Sequence, residues 1–126
     1  MDSYLLNTYT STDIPQYLII TRDYLSLINT SYDPNKIDRN GLSPLQLATL
    51  MSDPQTVLIL LYEKHADPNI YPNISNSPIY YAILRENPQI INLLIEYKTL
   101  LTNDDKHFLL QLPNLPNYLK IYINNS

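Results

Sequence analysis

The chain has 126 residues, of which 44% are hydrophobic and 16% charged, and this composition predicts one globular domain rather than a disordered chain. It contains no cysteine, which excludes disulfides, thiolate metal sites and cysteine nucleophiles. The formal net charge is -4 and the eight Lys and Arg are scattered, whereas nucleic-acid binding needs a clustered basic face, so we expect no nucleic-acid partner.

Neither a membrane span nor a secretory signal is predicted. No apolar run approaches the ~18 residues that a membrane-spanning helix needs. The first residues lack the basic start and the long apolar stretch of a signal peptide. We therefore expect a cytoplasmic or nuclear protein without a membrane partner.

In residues 1–35, a helical spacing of apolar residues is recognisable only toward the end. Two interpretations of the upstream part remain open. It forms either one long helix from Asp13 to Ile28, or two shorter helices with a break near Arg22. A further short helix is expected over residues 2–9.

From Asp33 onward, the sequence repeats with an offset of 34 residues. The matching positions are Asp33-Pro34-Asn35 and Asp67-Pro68-Asn69, Ser43-Pro44 and Ser77-Pro78, Ala48 and Ala82, and Asp53-Pro54 and Asn87-Pro88. Four matches in one register indicate an internal repeat. We place the units at residues 36–69 and 70–102, after a degenerate unit at residues 1–35.

Each unit predicts two helices. Ser43 and Ser77 are expected N-cap residues, because a hydroxyl there can accept a hydrogen bond from a free backbone N–H. The proline after each suits the first helical position, where a missing N–H costs nothing. Asp53 and Asn87 repeat this combination at the start of a second helix. The small Ala48 allows the two helices to pack closely.

Residues 103–126 lack the repeat pattern and predict two capping helices. The first has Asn103 or Asp104 as its N-cap and ends near residue 112. The second is predicted over residues 116–123. Such terminal units are expected to be atypical, because one side of them faces water.

The best unit opens with Asp38-x-x-Gly41-x-Ser-Pro-Leu-x-x-Ala and closes with Leu-Leu-x-x-x-x-Ala66-Asp-Pro-Asn69. This pattern resembles the ankyrin repeat, a β-turn followed by two helices. The resemblance implies an all-α solenoid of stacked helix-turn-helix units over residues 1–126. The usual ankyrin period is ~33 residues, so an extra residue is expected, and we place it in the loop near Ser52.

The resemblance implies a non-catalytic protein-protein interaction module without cofactor or metal. The composition is similar to that of small ankyrin-repeat proteins of large DNA viruses such as poxviruses. That similarity implies a host protein partner, for example in the NF-κB pathway. Residues 115–123 are also similar to the start of an F-box-like segment that recruits a ubiquitin ligase, although a capping helix is the favoured interpretation.

Ankyrin stacks bind partners through their hairpin tips and the exposed face of their first helices. Carried over to this sequence, the partner-binding positions are Ile37, Arg39, Asn40, Leu42, Leu50, Met51, Tyr71, Asn73, Ile74, Asn76, Leu84 and Arg85. The apolar members of this set are expected to form one strip, which is typical of an interface.

Two alternatives compete with partner binding. The first is a structural role, in which the chain self-associates through the apolar strip or an end of the stack. The second is an enzyme, which the sequence disfavours because no catalytic constellation stands out. His65 and His107 are the only histidines and lack further ligands at metal-binding spacing. His65 is instead expected at a helix end with a left-handed backbone.

Overall fold

The computed structural model describes residues 13–126. Within this range the chain forms eight α-helices and no β-strand, which confirms the all-α prediction. The helices are α1 (Ile14–Thr21), α2 (Tyr24–Asn29), α3 (Pro44–Leu50), α4 (Pro54–Leu58), α5 (Pro78–Leu84), α6 (Pro88–Glu96), α7 (Asn103–Leu110) and α8 (Asn117–Asn125). A π-helix (Ile59–Glu63) continues α4, and a 3-10 helix (Ile74–Asn76) precedes α5.

The helices pack as successive pairs in two layers. Within each pair, α1 contacts α2, α3 contacts α4, α5 contacts α6 and α7 contacts α8. Between pairs, the first helices α1, α3 and α5 pack side by side, and α4 packs against α6. The core lies between the two layers, where Ala48 and Ala82 are fully buried as their small size predicts.

The predicted caps of the two central pairs are confirmed. The Ser43 hydroxyl accepts a hydrogen bond from the Gln46 N–H at 3.1 Å, and the Gln46 side chain accepts one from the Ser43 N–H at 2.7 Å. This capping box satisfies two N–H groups that the helix start leaves free. Ser77, Asp53 and Asn87 cap α5, α4 and α6 through their side chains, each followed by proline.

At the C-terminal pair the predicted caps were wrong by one or two residues. Thr102, rather than Asn103 or Asp104, is the N-cap of α7, because its extended backbone lets its hydroxyl accept from the Asp105 N–H at 3.1 Å. The helix ends at Leu110, two residues earlier than predicted. Pro116 is likewise the N-cap of α8 and not its first residue.

The first pair consists of two helices, so the interpretation as one long helix was wrong. The chain breaks at Arg22, whose backbone adopts the left-handed conformation with φ of 56°. The expected short helix over residues 2–9 lies outside the described residues. Asp23 caps α2 and precedes Asp33 by 10 residues, whereas the equivalent Asp53 precedes Asp67 by 14. The first pair therefore lacks one turn of its second helix, which hides the repeat from a search at constant offset.

The extra residue of the 34-residue period lies in the second helix of the unit, so its predicted place near Ser52 was wrong. Ser52 and Glu86 occupy equivalent left-handed turns, and no length difference separates the helix starts around them. Farther along, the Ala66 N–H donates to the carbonyl of Leu60, six residues back. The π-helix Ile59–Glu63 absorbs this residue by widening the helix locally.

Several helix ends adopt left-handed backbone without glycine. His65 has φ of 57°, which confirms the sequence-based expectation, and Lys98 has φ of 63° at the equivalent end of α6. Ser52 and Glu86 adopt the same conformation after the first helices. Such positions are strained for residues other than glycine and asparagine.

Two buried glutamines connect the first helices α1 and α3 to the hairpin tip of the next unit. Gln46 Nε2 donates to the Asn76 carbonyl at 2.6 Å. Gln16, at the equivalent position of α1, donates to the carbonyls of Lys36 at 2.7 Å and Leu42 at 3.1 Å. Both side chains are fully buried, so these bonds fix how successive units stack.

We expect Gln46→Ala to lower the free energy of unfolding by about 2 kcal/mol or more, because it leaves buried backbone groups without a partner. The matched control is Gln55→Ala, which removes an exposed glutamine of α4. Urea denaturation followed by circular dichroism measures both. Equal stability of the two variants would show that the Gln46 contacts contribute little.

Deletion of Tyr62 should be tolerated, because it removes the extra residue from the π-helix and restores the spacing of α6. Tyr62 is 63% exposed, so no core contact is lost. We expect a melting temperature close to that of the wild type. Deletion of the buried Leu61 is the control and should unfold the unit. Similar melting temperatures for the two deletions would contradict this assignment.

Burial raises the pKa of Tyr32 from its ordinary value of 10.0 to about 12, and its hydroxyl donates to the Leu27 carbonyl at 2.5 Å. The folded state therefore keeps a proton that the unfolded state loses between these values. The contribution of the Tyr32 phenol to the free energy of unfolding is complete below pH 10.0 and is lost as the pH rises to about 12.

We expect the urea midpoint of Tyr32→Phe to fall less than that of the wild type between pH 10.0 and about 12. The exposed Tyr62→Phe variant is the control and should keep the wild-type profile. If Tyr32→Phe keeps the wild-type slope, another group is responsible for the alkaline loss of stability.

Candidate partner-binding surface

The predicted partner-binding residues fall into two regions of the structure. Those at the hairpin tips before α3 and α5 are Ile37, Arg39, Asn40, Leu42, Tyr71, Asn73, Ile74 and Asn76. Those at the C-terminal ends of α3 and α5 are Leu50, Met51, Leu84 and Arg85. The helices hold the second region rigidly, whereas local hydrogen bonds shape the first.

The first tip is organised by Asp38. Its side-chain Oδ1 accepts from the N–H groups of Asn40 at 2.8 Å and Leu42 at 2.9 Å, and its own N–H donates to the Leu42 carbonyl at 3.0 Å. Gly41 turns the chain with φ of 80°. The tip presents Asn40 and Ile37 to solvent, and Ile37 is 45% exposed.

Two predicted binding residues of the first tip have structural contacts. Arg39 Nε donates to Oδ2 of Asp13 at 3.2 Å, and Asp13 is buried at the start of α1. This ion pair ties the tip to the first helix. Leu42 is half-buried and packs against the core. The participation of Arg39 and Leu42 in binding stays a prediction. Part of each side chain already contacts other residues of the chain.

The second tip differs from the first because Ser75 replaces Gly41. A 3-10 turn takes the place of the left-handed glycine, and the Asn73 side chain caps it by accepting from the Ser75 N–H at 2.9 Å. Ile74 is half-buried against the core. The Asn73 side chain is exposed, while Asn76 is partly covered.

Tyr71 lies at the edge of the second tip and faces the C-terminal pair. Its hydroxyl donates to the Leu100 carbonyl at 3.4 Å. Burial, and then the nearby charge of Asp105, raise the pKa of Tyr71 above its ordinary value. The phenol therefore stays neutral at physiological pH and presents part of its ring at the surface.

The ends of α3 and α5 form a groove of about 320 Å³, lined by Leu50, Tyr81, Leu84 and Arg85. Leu84 is 56% exposed, and Leu50 is half-buried. Burial, and then the neighbouring Tyr80, raise the pKa of Tyr81. The groove thus combines two aliphatic side chains, one phenol and one guanidinium.

Tyr81 was missing from the sequence-based set. It precedes Leu84 by three residues and Arg85 by four, so helical periodicity alone places it on the same face of α5. Its equivalent in α3, Leu47, is buried, so the repeat pattern alone does not predict that Tyr81 lines a groove. The structure brings Leu50, Leu84 and Arg85 together with it, whereas Met51 packs half-buried against the core.

Within residues 13–126, no three His, Asp or Glu side chains come close enough to hold a metal ion. His65 and His107 are both exposed, and His107 Nε2 lies 2.7 Å from the Gln111 side-chain nitrogen. The helices of this part of the chain are also too short or too polar to span a bilayer.

Comparison with known families agrees with the stacked helix pairs and their caps. A model of ankyrin repeats (3 copies) matches residues 17–105. The chain is an ankyrin-repeat protein. No curated protein and no solved structure matches it. The predicted ankyrin fold is thereby confirmed, while the likeness to poxviral ankyrin proteins stays a prediction.

Ankyrin repeats indicate a module that binds other proteins, and proteins built from them are in general non-catalytic. The groove of Leu50, Tyr81, Leu84 and Arg85 suits this role. Tyrosine and arginine are enriched among the residues that contribute most to protein interfaces, and Leu50 and Leu84 add apolar area beside them.

Proposed function

We propose that this ankyrin-repeat protein binds a partner protein through the groove formed by Leu50, Tyr81, Leu84 and Arg85. The exposure of Leu84 is the observation that carries the proposal, because this leucine is 56% exposed and extends the apolar lining of the groove beside Leu50 and Tyr81. Full burial of an exposed leucine contributes about 1.5–3 kcal/mol, and covering the 56% of Leu84 that is exposed contributes roughly half of this.

The partner is proposed to present an apolar side chain next to a carboxylate. Two aliphatic side chains and a phenol line the groove, and Arg85 stands at its edge. The Arg85 guanidinium can form a bidentate pair with a carboxylate, which would fix the orientation of the partner. The tip residues Ile37, Asn40 and Asn73 extend the surface.

The proposal extends to the setting in which the protein acts. We infer a cytoplasmic protein that binds a host protein, such as a component of the NF-κB pathway or of a ubiquitin ligase. The support for a viral source is compositional: few glycines, many asparagines and tyrosines, and no cysteine. Identification of the bound protein tests this directly.

Capture from eukaryotic cell lysate, read by mass spectrometry, compares the wild type with Leu50→Glu/Leu84→Glu. We expect a protein that the wild type retains and the variant loses, because two charges then lie in the apolar groove. Leu25→Glu/Tyr62→Glu is the matched control. It places two charges at exposed residues of the second-helix layer, 71% and 63% exposed, and should keep the partner.

Circular dichroism must show both double variants folded. If the groove variant and the control retain the same proteins, the groove is not the binding surface. If the groove variant unfolds, Leu50 supports the core, and Leu84→Glu alone then decides the question.

A second candidate function is self-association. The exposed apolar side chains Leu25 and Tyr62 favour it, because both lie on the second-helix layer and neither is covered within residues 13–126. Light scattering over a hundredfold range of concentration separates the two functions. A mass that rises for the wild type and stays constant for Leu25→Glu/Tyr62→Glu supports self-association through this layer.

A further inference from the structure

A second cleft, of about 350 Å³, opens between the turn that joins α5 to α6 and the linker that joins α7 to α8. Its volume lies within the range of ~300–1,000 Å³ that is typical of ligand-binding pockets. The residues that line it do not overlap with those of the groove proposed above. An inference about this cleft is therefore independent of the proposed function.

The cleft exists because the last linker is longer than its equivalents. Residues 85–87 join α5 to α6, whereas residues 111–116 join α7 to α8. In the preceding junction, Asn87 Nδ2 donates to the Ser52 hydroxyl at 2.9 Å and closes the gap between neighbouring turns. Between Glu86 and residues 111–116 the structure has no such hydrogen bond.

The longer linker has a fixed shape. Leu115 is 6% exposed and belongs to the core, which anchors the linker near its end. Asn114 turns the chain with φ of 61°. Pro113 and Pro116 on either side restrict the backbone further, because their rings fix φ. The cleft is consequently preformed, and a ligand would bind with little ordering cost.

The lining of the cleft is apolar on three sides. Ile83, Ile91 and Leu119 form its base, and Ile91 and Leu119 are core residues. The exposed rings of Pro88, Pro113, Pro116 and Tyr118 form its sides. Rigid proline and tyrosine rings bury area with little loss of side-chain entropy.

A single carboxylate, that of Glu86, stands at the rim. The ion pairs within residues 13–126 join Arg22 to Asp53 and Arg39 to Asp13, and neither involves Glu86. Its carboxylate is exposed and available to a cation. Tyr118 is 46% exposed, and the face of its ring also attracts a cation.

We propose that this cleft binds an extended segment of a partner protein that carries an aliphatic side chain next to an arginine or lysine. The aliphatic side chain occupies the apolar base over Ile91 and Leu119. The cation pairs with the Glu86 carboxylate beside the Tyr118 ring. An acidic segment is disfavoured, because it would place a second negative charge against Glu86.

The test is a titration of the 15N-labelled full chain with the capped hexapeptide Gly-Ser-Leu-Arg-Ser-Gly, followed by NMR. We expect the amide signals of Glu86, Asn114 and Tyr118 to shift. The matched peptide with Glu in place of Arg should shift them less at the same concentration. Equal shifts with both peptides, or shifts confined to the groove of Leu50 and Leu84, would overturn the proposal.

Variants assign the charge preference to Glu86. Glu86→Gln keeps the shape and removes the charge, and we expect the affinity for the arginine peptide to fall about three- to fivefold. Glu63→Gln changes an exposed glutamate of the π-helix and should have no effect. Glu86→Lys should reverse the preference toward the glutamate peptide. An unchanged preference in Glu86→Lys would overturn the proposal.

Two further measurements distinguish peptide binding from a structural role of Tyr118 and from self-association. Tyr118→Ser removes an exposed ring and should weaken binding of the arginine peptide without changing the melting temperature. A dilution series without peptide tests whether a second copy of the chain occupies the cleft. Concentration-dependent shifts of Glu86 and Tyr118 would show that it does, and would contradict a peptide-binding role.

Discussion

A buried glutamine near the start of α1 and of α3 is the contact on which the stacking of the first three helix pairs depends. Gln46 caps its own helix with Oε1 and reaches the next hairpin tip with Nε2, so one side chain sets both the helix start and the position of the next unit. Gln16 makes the same connection between α1 and the first tip. Because the tips carry predicted binding residues, the geometry of the surface follows from these core contacts.

Sequence reasoning succeeded where local chemistry decides the structure. Ser43 and Ser77 cap their helices because each hydroxyl accepts a hydrogen bond from a free backbone N–H and the following proline suits the first helical position. No tertiary contact is needed to predict this. It failed where a whole turn or a single residue is gained or lost inside a helix. The π-helix at Ile59–Glu63 keeps the apolar residues of this helix facing the core. The pattern of apolar residues in the sequence therefore does not reveal the extra residue.

The candidate surface could be predicted only in part, for a related reason. The repeat alignment identifies positions, but exposure depends on what the neighbouring unit covers. Leu47 and Tyr81 are equivalent, yet only Leu47 is buried, and the predicted strip alternates between exposed Leu84 and half-buried Ile74. The cleft beside Pro113 was not predicted. The sequence there indicates a break between two capping helices, and this pattern does not reveal that the linker forms the wall of a cavity.

The turn after α5 gives the protein two surfaces of opposite charge. Arg85 lines the groove shared with α3, and the next residue, Glu86, lines the cleft shared with α8. Glu86 has a left-handed backbone, with φ of 51°, at the point where the chain passes from the groove to the cleft. A glutamate in this strained conformation is costly compared with glycine. Its carboxylate has no ion-pair partner within residues 13–126, so its charge is free to attract the cation of the ligand proposed for the cleft.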